Sequence, residues 1–161
     1  MSSLEFDAQD VAADLERIRL RLAQARVLGQ TDLGAVSARA RGAAGDEPIR
    51  VLYADDDERY RLLLGTVLRT YPRFSVVGVA RDGEEAIAIA LSEQPDVVLL
   101  DVNMPVVGGL DAAREIGAAL PSARIVLHTG ELHEQERGDA VALGLPLVDK
   151  LAIHDTLQQL L

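Results

Sequence analysis

The chain has 161 residues, of which 48% are apolar, and a formal net charge of −10. This length allows one domain of ordinary size with a short appendage, and the apolar fraction excludes a disordered chain. The acidic balance argues against nucleic acid as a partner, because phosphate contacts need clustered Lys and Arg, and the absence of cysteine excludes a disulfide framework and a thiolate metal site.

Targeting and membrane signals are also missing from the sequence. The first ten residues carry three acids and no base, unlike a signal peptide. No apolar run approaches the roughly 20 residues that cross a bilayer. We therefore expect a soluble, cytoplasmic protein that contacts neither membrane nor DNA.

Residues 1–47 differ in pattern from the rest of the chain. Seven aliphatic residues follow the 4-3 spacing of a heptad seam, namely Leu4, Ala8, Val11, Leu15, Ile18, Leu22 and Ala25. This predicts an amphipathic helix over 1–30, and the Gly-rich stretch 31–47 is typical of a flexible linker. Because an isolated helix of this length is marginal in water, it should pack on its own domain, dock on a partner or form a coiled-coil homodimer.

From Ile49 onward, short apolar runs alternate with amphipathic segments five times. Strands are predicted at 49–54, 74–80, 97–101, 124–129 and 145–148, with helices between them. Such alternation is typical of βαβ units. Residues 48–161 are therefore predicted to form an α/β domain with a five-stranded, parallel, doubly wound sheet.

Chemically useful residues follow several of these strands. The first strand runs into Asp55 and Asp56, the third ends at Asp101, and the fourth ends at Thr129. The fifth leads to Lys150, which is the only lysine in the chain. Because ligands of open α/β sheets bind outside the carboxyl ends of the strands, we expect these groups to form a phosphate and metal site.

The three acids Asp55, Asp56 and Asp101 predict a bound cation. Two carboxylates about 4 Å apart repel each other by roughly 4 kcal/mol at an effective dielectric of 20, so a proton or a cation must neutralise them. Hard oxygen ligands favour Mg²⁺. The next acids, Asp57 and Glu58, are interpreted as caps of the following helix, because acids favour helix N-termini.

The sequence from about Ile49 to Leu161 resembles the receiver domain of bacterial two-component response regulators. The likeness rests on five motifs. The acidic pair lies in Val51–Asp56, and the phosphoacceptor motif lies in Pro95–Pro105 with Gly109. The switch hydroxyl lies in Ile125–Thr129, the lysine in Gly144–Lys150 and the start of the second helix in Arg81–Ala86. The resemblance implies the flavodoxin-like strand order 2-1-3-4-5.

The resemblance also implies roles for the acids. Asp101 would accept a phosphoryl group from the phosphohistidine of a histidine kinase or phosphotransfer protein. Asp56, Asp101 and the main-chain carbonyl of Asn103 would hold Mg²⁺, and Asp55 would help through water. The domain would catalyse only its own phosphorylation and dephosphorylation, and it would signal through protein contacts.

The hydroxyl and the ammonium have implied roles as well, and two departures from the family pattern lie near them. Thr129 would hydrogen-bond the phosphoryl group, and Lys150 would neutralise its charge. The family usually has an aromatic residue where this chain has Leu147, and a proline where it has Leu151. These departures leave phosphorylation intact but question the usual route of signalling. We expect a short last helix before Leu161 and no output domain after it.

Two other functions are alternatives to a phosphoryl-accepting receiver. A degenerate receiver would serve as a phosphorylation-independent docking or dimerisation module. A phosphatase similar to the haloacid dehalogenases would use Asp55 and Asp57, but this assignment leaves Asp101 without a role. The three histidines fit no ligand spacing and are interpreted as incidental: His128, His133 and His154.

Overall fold

The computed structural model of the chain describes residues 47–161. The strands are β1 Ile49–Ala54, β2 Phe74–Ala80, β3 Val97–Asp101, β4 Arg124–Thr129 and β5 Leu147–Asp149. The helices are α1 Glu58–Arg69, α2 Gly83–Glu93, α3 Gly109–Ala119, α4 Glu134–Ala142 and α5 Ile153–Leu160, and a short 3₁₀ helix spans Lys150–Ala152. The predicted helix over 1–30 and nearly all of the predicted linker over 31–47 lie outside the described residues.

The five strands form one parallel sheet in the order β2-β1-β3-β4-β5. This confirms the predicted doubly wound α/β fold and its strand order. It also places β1, β3 and β4 side by side in the middle of the sheet, so their carboxyl ends are neighbours.

The sheet separates two apolar layers because side chains alternate between its faces. On one face, Val97 and Leu99 of β3 belong to a cluster with residues of α1 and α5. On the other face, Val98 and Leu100 belong to a cluster with residues of α2, α3 and α4. The whole of β3 is buried, which explains why its sequence is a continuous apolar run.

The first helix is capped as the sequence predicts. The Asp57 carboxylate accepts a hydrogen bond of 2.8 Å from the main-chain nitrogen of Arg59. Asp82 caps α2 in the same way, accepting from the nitrogen of Glu85 at 2.8 Å. Asp57 is therefore occupied as a helix cap, which removes the carboxylate that the phosphatase alternative required.

The last strand differs from the prediction, which placed it at 145–148. It spans Leu147–Asp149, because the residues before it belong to the turn after α4. Gly144 has a positive φ of 65°, and the nitrogen of Leu145 donates to the carbonyl of Ala140. Pro146 has no N–H to donate to a neighbouring strand. At the other end, Asp149 still pairs with β4.

Within residues 47–161, none of the helices combines the length and apolar character needed to cross a membrane.

Candidate functional site

Strand alternation brings three buried polar side chains to one face of the sheet. In β1, Val51 and Tyr53 face α1 and α5, and Asp55 is the next residue in this period of two. Asp101 and His128 hold equivalent places in β3 and β4, and they are paired across these strands. One ligand atom from each of Asp55, Asp101 and His128 lies within 4.8 Å of the others.

Lys150 joins the two acids of this group. Its Nζ lies 2.6 Å from Oδ2 of Asp55 and 3.0 Å from Oδ2 of Asp101. Asp55 and Asp101 are both buried. One ammonium therefore balances two buried carboxylates, and the group keeps a negative charge that a proton or a cation can neutralise.

The pKa values of these residues reflect burial first. Burial and the neighbouring Asp55 raise the pKa of Asp101 to about 6, although Lys150 opposes the shift. Burial likewise raises the pKa of Asp55, and Lys150 again opposes it. Burial alone would lower the pKa of Lys150, but its hydrogen bonds to Asp55 and Asp101 outweigh burial and raise it. The lysine is therefore firmly charged, and Asp101 gives up its proton only near neutral pH.

His128 was interpreted from sequence as incidental, yet it lies inside this group. Its side chain is fully buried, and Nδ1 is 3.7 Å from Oδ2 of Asp55. The ring of Tyr60 covers it, with 5.5 Å between ring centroids. Burial and the Lys150 charge lower the pKa of His128 to about 3, so the ring is neutral. Spacing along the chain gave no signal, but the alternation of β4 puts His128 on the face of Val126.

The Thr129 hydroxyl, which the sequence predicts for this site, is buried at the end of β4. Its Oγ1 donates to the main-chain carbonyl of Glu131 at 2.9 Å. It also accepts from the nitrogen of Glu131 at 3.4 Å. The hydroxyl is thus held within its own loop, and it must rotate away from that carbonyl to donate elsewhere.

Asn103 lies in the loop after β3, beside the predicted acceptor. Its main-chain nitrogen donates to Oδ1 of Asp101 at 3.4 Å, and its side-chain amide donates to Glu136 of α4 at 3.0 Å. Sequence reasoning did not single out Glu136, because the helix α3 and the strand β4 separate it from Asn103 in the chain. Asp56 is exposed, and its main-chain carbonyl accepts from Arg61 at 3.0 Å.

Gly109 lets α3 approach the acceptor closely. A Cβ at this position would overlap the main-chain carbonyl of Asp101, and the nitrogen of Gly109 donates to the carbonyl of Val102 at 3.0 Å. In the same loop, Val106 has a φ of 67°, which β-branched residues rarely adopt. The loop after β3 is therefore tightly specified around Asp101.

The donors at this edge fit a hard divalent cation. The buried carboxylates of Asp55 and Asp101 offer the oxygen ligands that Mg²⁺ uses, and the His128 imidazole lies beside them. Among the described residues, Lys150 contacts the buried Oδ2 of Asp55 at 2.6 Å. A cation that reached this oxygen would therefore share it with the lysine or displace the lysine.

The fold and the cluster together define a flavodoxin-like α/β domain with buried acids at the carboxyl edge of its strands. The family model of the response regulator receiver domain matches residues 51–152, well over half of the chain. The chain belongs to this family, whose members are phosphoryl-accepting domains of two-component systems, and the predicted resemblance is thereby confirmed.

Individual relatives agree with this assignment. The chain is 42% identical over 109 residues to a protein-glutamate methylesterase/protein-glutamine glutaminase of Anaeromyxobacter dehalogenans, covering 67% of this chain and 32% of that protein. It is 30% identical to the crystal structure of the response regulator domain of Thermotoga maritima CheB, with a TM-score of 0.57, covering 63% of this chain and 77% of the other. For Vibrio cholerae chemotaxis protein CheY4, the identity is 26% and the TM-score 0.62, over 71% and 99% of the two chains. The chain spans only about a third of the length of the curated methylesterase relatives.

Proposed function

We propose that Asp101 accepts a phosphoryl group from the phosphohistidine of a histidine kinase or phosphotransfer protein. The observation that carries the proposal is the buried Asp101 carboxylate, held by Lys150 at the carboxyl edge of the sheet. In this step an Asp101 oxygen bonds to phosphorus, the phosphorus–nitrogen bond breaks, and the histidine leaves. Phosphoryl transfer depends chiefly on positioning and charge neutralisation. The residues that position Asp101 and neutralise charge, such as Lys150, therefore matter more than a further nucleophile or base.

A divalent cation, Mg²⁺, would be held by Asp56, Asp101 and the main-chain carbonyl of Asn103, with Asp55 acting through water. When bound, the ion would neutralise charge on the transferring phosphoryl group. The buried Asp55 and Asp101 already repel each other, which favours a cation. This assignment requires the exposed Asp56 to turn its carboxylate toward Asp101.

Lys150 and Thr129 would then stabilise the phosphorylated state. The Lys150 ammonium contacts both acids, and a phosphoryl group on Asp101 would draw it away from Asp55. The Thr129 hydroxyl would exchange the carbonyl of Glu131 for a phosphoryl oxygen. That exchange would move the loop after β4, and this movement is how the domain would signal to protein partners in the absence of an aromatic residue at Leu147.

The remaining proposals concern the whole chain. We propose that this domain catalyses only its own phosphorylation and dephosphorylation. We place the receiver at 48–161 in the cytoplasm, after a helix at 1–30 and a linker at 31–47. That helix would bind a partner or a second copy.

The test is intact mass after incubation with Mg²⁺ and an acyl phosphate as phosphodonor. The parent protein should gain about 80 Da, the mass of one phosphoryl group. Asp101→Asn, or chelation of Mg²⁺ with EDTA, should abolish the gain, and Asp111→Asn on the exposed face of α3 should leave it unchanged. A parent that gains no mass would support the degenerate receiver, and equal labelling of the Asp101→Asn variant would contradict the choice of acceptor.

A further inference from the structure

The proposed phosphoryl transfer gives no role to His128, although this residue lies beside the acids. Its side chain has no exposed surface. Within residues 47–161, neither ring nitrogen has a hydrogen-bond partner. An unsatisfied buried polar group costs about 1–3 kcal/mol, so the placement of this imidazole needs an explanation.

The acceptor nearest to the ring is shared with Lys150. Oδ2 of Asp55 lies 3.7 Å from Nδ1 of His128, less than 1 Å beyond the usual length of an N–H···O hydrogen bond. The same oxygen is 2.6 Å from Nζ of Lys150, and a carboxylate oxygen has lone pairs for two donors. A small shift of the imidazole toward Asp55 would therefore give Nδ1 a partner.

The His128 ring is enclosed by the Tyr60 ring and by the charged groups of the site. Tyr60 of α1 covers one side of it, and Lys150 lies over Tyr60 with Nζ 4.8 Å from the ring centroid. On the sheet, His128 lies between Asp101 of β3 and Val148 of β5. The charged groups facing the ring are thus Lys150 and the two acids, and Asp55 is the acid closest to Nδ1.

We propose that His128 is a positioning residue that donates a hydrogen bond from Nδ1–H to Asp55 and keeps this carboxylate oriented toward the divalent cation. The inference rests on the proposed function. Lys150 is shared between Asp55 and Asp101, whereas His128 would hold Asp55 alone, with or without a phosphoryl group on Asp101. Neutral imidazole has one N–H to give, and Nδ1 is the nitrogen that faces the acid.

The alternative role, in which an imidazole nitrogen binds the metal directly, is less consistent with the geometry. The ammonium of Lys150 already occupies the place between the two carboxylates. An imidazole ligand would also favour transition metals over Mg²⁺, which makes this alternative a distinct outcome of the test.

The variants to compare are His128→Leu, which keeps apolar bulk without a donor, and His128→Asn, whose amide nitrogen can take the place of Nδ1. The measurement is Mg²⁺ affinity without phosphodonor, followed by tyrosine fluorescence, since the chain has no Trp. Loss of the donor should weaken Mg²⁺ binding roughly 10- to 100-fold, as for other groups that orient metal ligands. His128→Asn should restore most of the affinity. Urea unfolding of both variants separates this effect from a packing defect, which would lower stability and leave Mg²⁺ affinity unchanged.

A second measurement decides the question even if a variant fails to fold. Long-range ¹H–¹⁵N correlation spectra of the metal-free parent should show His128 as the Nδ1–H tautomer. The Nε2–H tautomer, or equal Mg²⁺ affinity of the Leu variant and the parent, would overturn the inference. Preferential binding of Zn²⁺ or Mn²⁺ that is lost with His128 would overturn it in favour of direct ligation. A parent that binds no Mg²⁺ would instead count against the proposed function, and the tautomer would still test His128.

Discussion

At the scale of single residues, the site contains carboxylates whose ionised form is destabilised by burial. Asp101 is buried beside Asp55, and its pKa of about 6 shows that Lys150 does not fully offset the burial. Such a carboxylate is poised to gain a cation or a phosphoryl group rather than to remain alone. The cost of keeping Asp101 ionised should be measurable as a lower free energy of unfolding.

We expect Asp101→Asn to stabilise the metal-free protein at neutral pH. The pKa of Asp101 is about 6 in the folded protein and about 3.9 in an unfolded chain. The folded state therefore binds more protons between these values, and the contribution of Asp101 to stability is lost as pH rises from about 4 to about 6. The Asn variant avoids this loss, so its free energy of unfolding at pH 7.5 should exceed that of the parent by about 1–3 kcal/mol.

Urea unfolding in EDTA at pH 7.5 and pH 4 measures this difference, which should shrink to near zero at pH 4. Asp111→Asn is the matched control. Asp111 is exposed and paired with Arg114 at 2.6 Å, so its substitution should change stability by no more than about 0.5 kcal/mol at either pH. A parent more stable than Asp101→Asn at pH 7.5 would refute the argument.

Val106 offers a second test at this scale. Its φ of 67° costs a β-branched residue about 1–2 kcal/mol, and its side chain is exposed. Val106→Gly should therefore raise the free energy of unfolding by about 0.5–1 kcal/mol, after the backbone entropy of glycine is subtracted. The same change at Val141, which is exposed in α4, should lower stability by roughly 0.3–0.5 kcal/mol, the difference between the helix propensities of valine and glycine. Thermal unfolding measures the Tm of both variants. Shifts of the two Tm values in the same direction would contradict the strain at Val106.

At the scale of elements, the bounds of β1 to β4 could be predicted because each is an apolar run with turn residues on both sides. β5 could not, because Leu145 looks like a strand residue and only its bond to Ala140 assigns it to the turn. The helix cap at Asp57 was predictable from local chemistry. The place of His128 was not predicted, because it depends on the pairing of β3 with β4 and not on spacing along the chain.

The approach of α3 to the acceptor strand gives a test of this packing. Gly109→Ala would place a Cβ against the carbonyl of Asp101, so α3 must shift, at a cost of about 1–3 kcal/mol. Labelling of Asp101 should fall as well. Gly117→Ala is the control in the same helix, because its Cβ would lie in ordinary contact, 3.6 Å from Ile125. That variant should gain about 0.5–1 kcal/mol, and equal effects of the two substitutions in urea unfolding would rule out the close approach.

At the scale of the whole molecule, residues 1–30 remain the part of the chain whose role rests on sequence. The seam that includes Leu15 and Ile18 should bury four or more aliphatic side chains, each worth roughly 1.5–3 kcal/mol. This predicts self-association or binding to a partner, and it makes the segment a candidate for the output of the receiver. The competing expectation is a helix that packs on its own domain.

Light scattering on the full chain and on the double variant Leu15→Asp, Ile18→Asp tests the prediction. The parent should form dimers that the variant loses, while the receiver still accepts a phosphoryl group. A second double variant, Arg17→Asp with Arg21→Asp, carries the same substitutions outside the seam and should remain dimeric. A monomeric parent whose stability falls in the Leu15, Ile18 variant would favour the helix that packs on its own domain.

Chemical trapping can show directly whether Asp101 carries the phosphoryl group. After incubation with Mg²⁺ and an acyl phosphate, borohydride reduces an aspartyl phosphate to homoserine, which tandem mass spectrometry can locate in the sequence. We expect homoserine at position 101, and only when phosphodonor and Mg²⁺ are both present. Homoserine at position 55 or 56, or at none of the three, would contradict it.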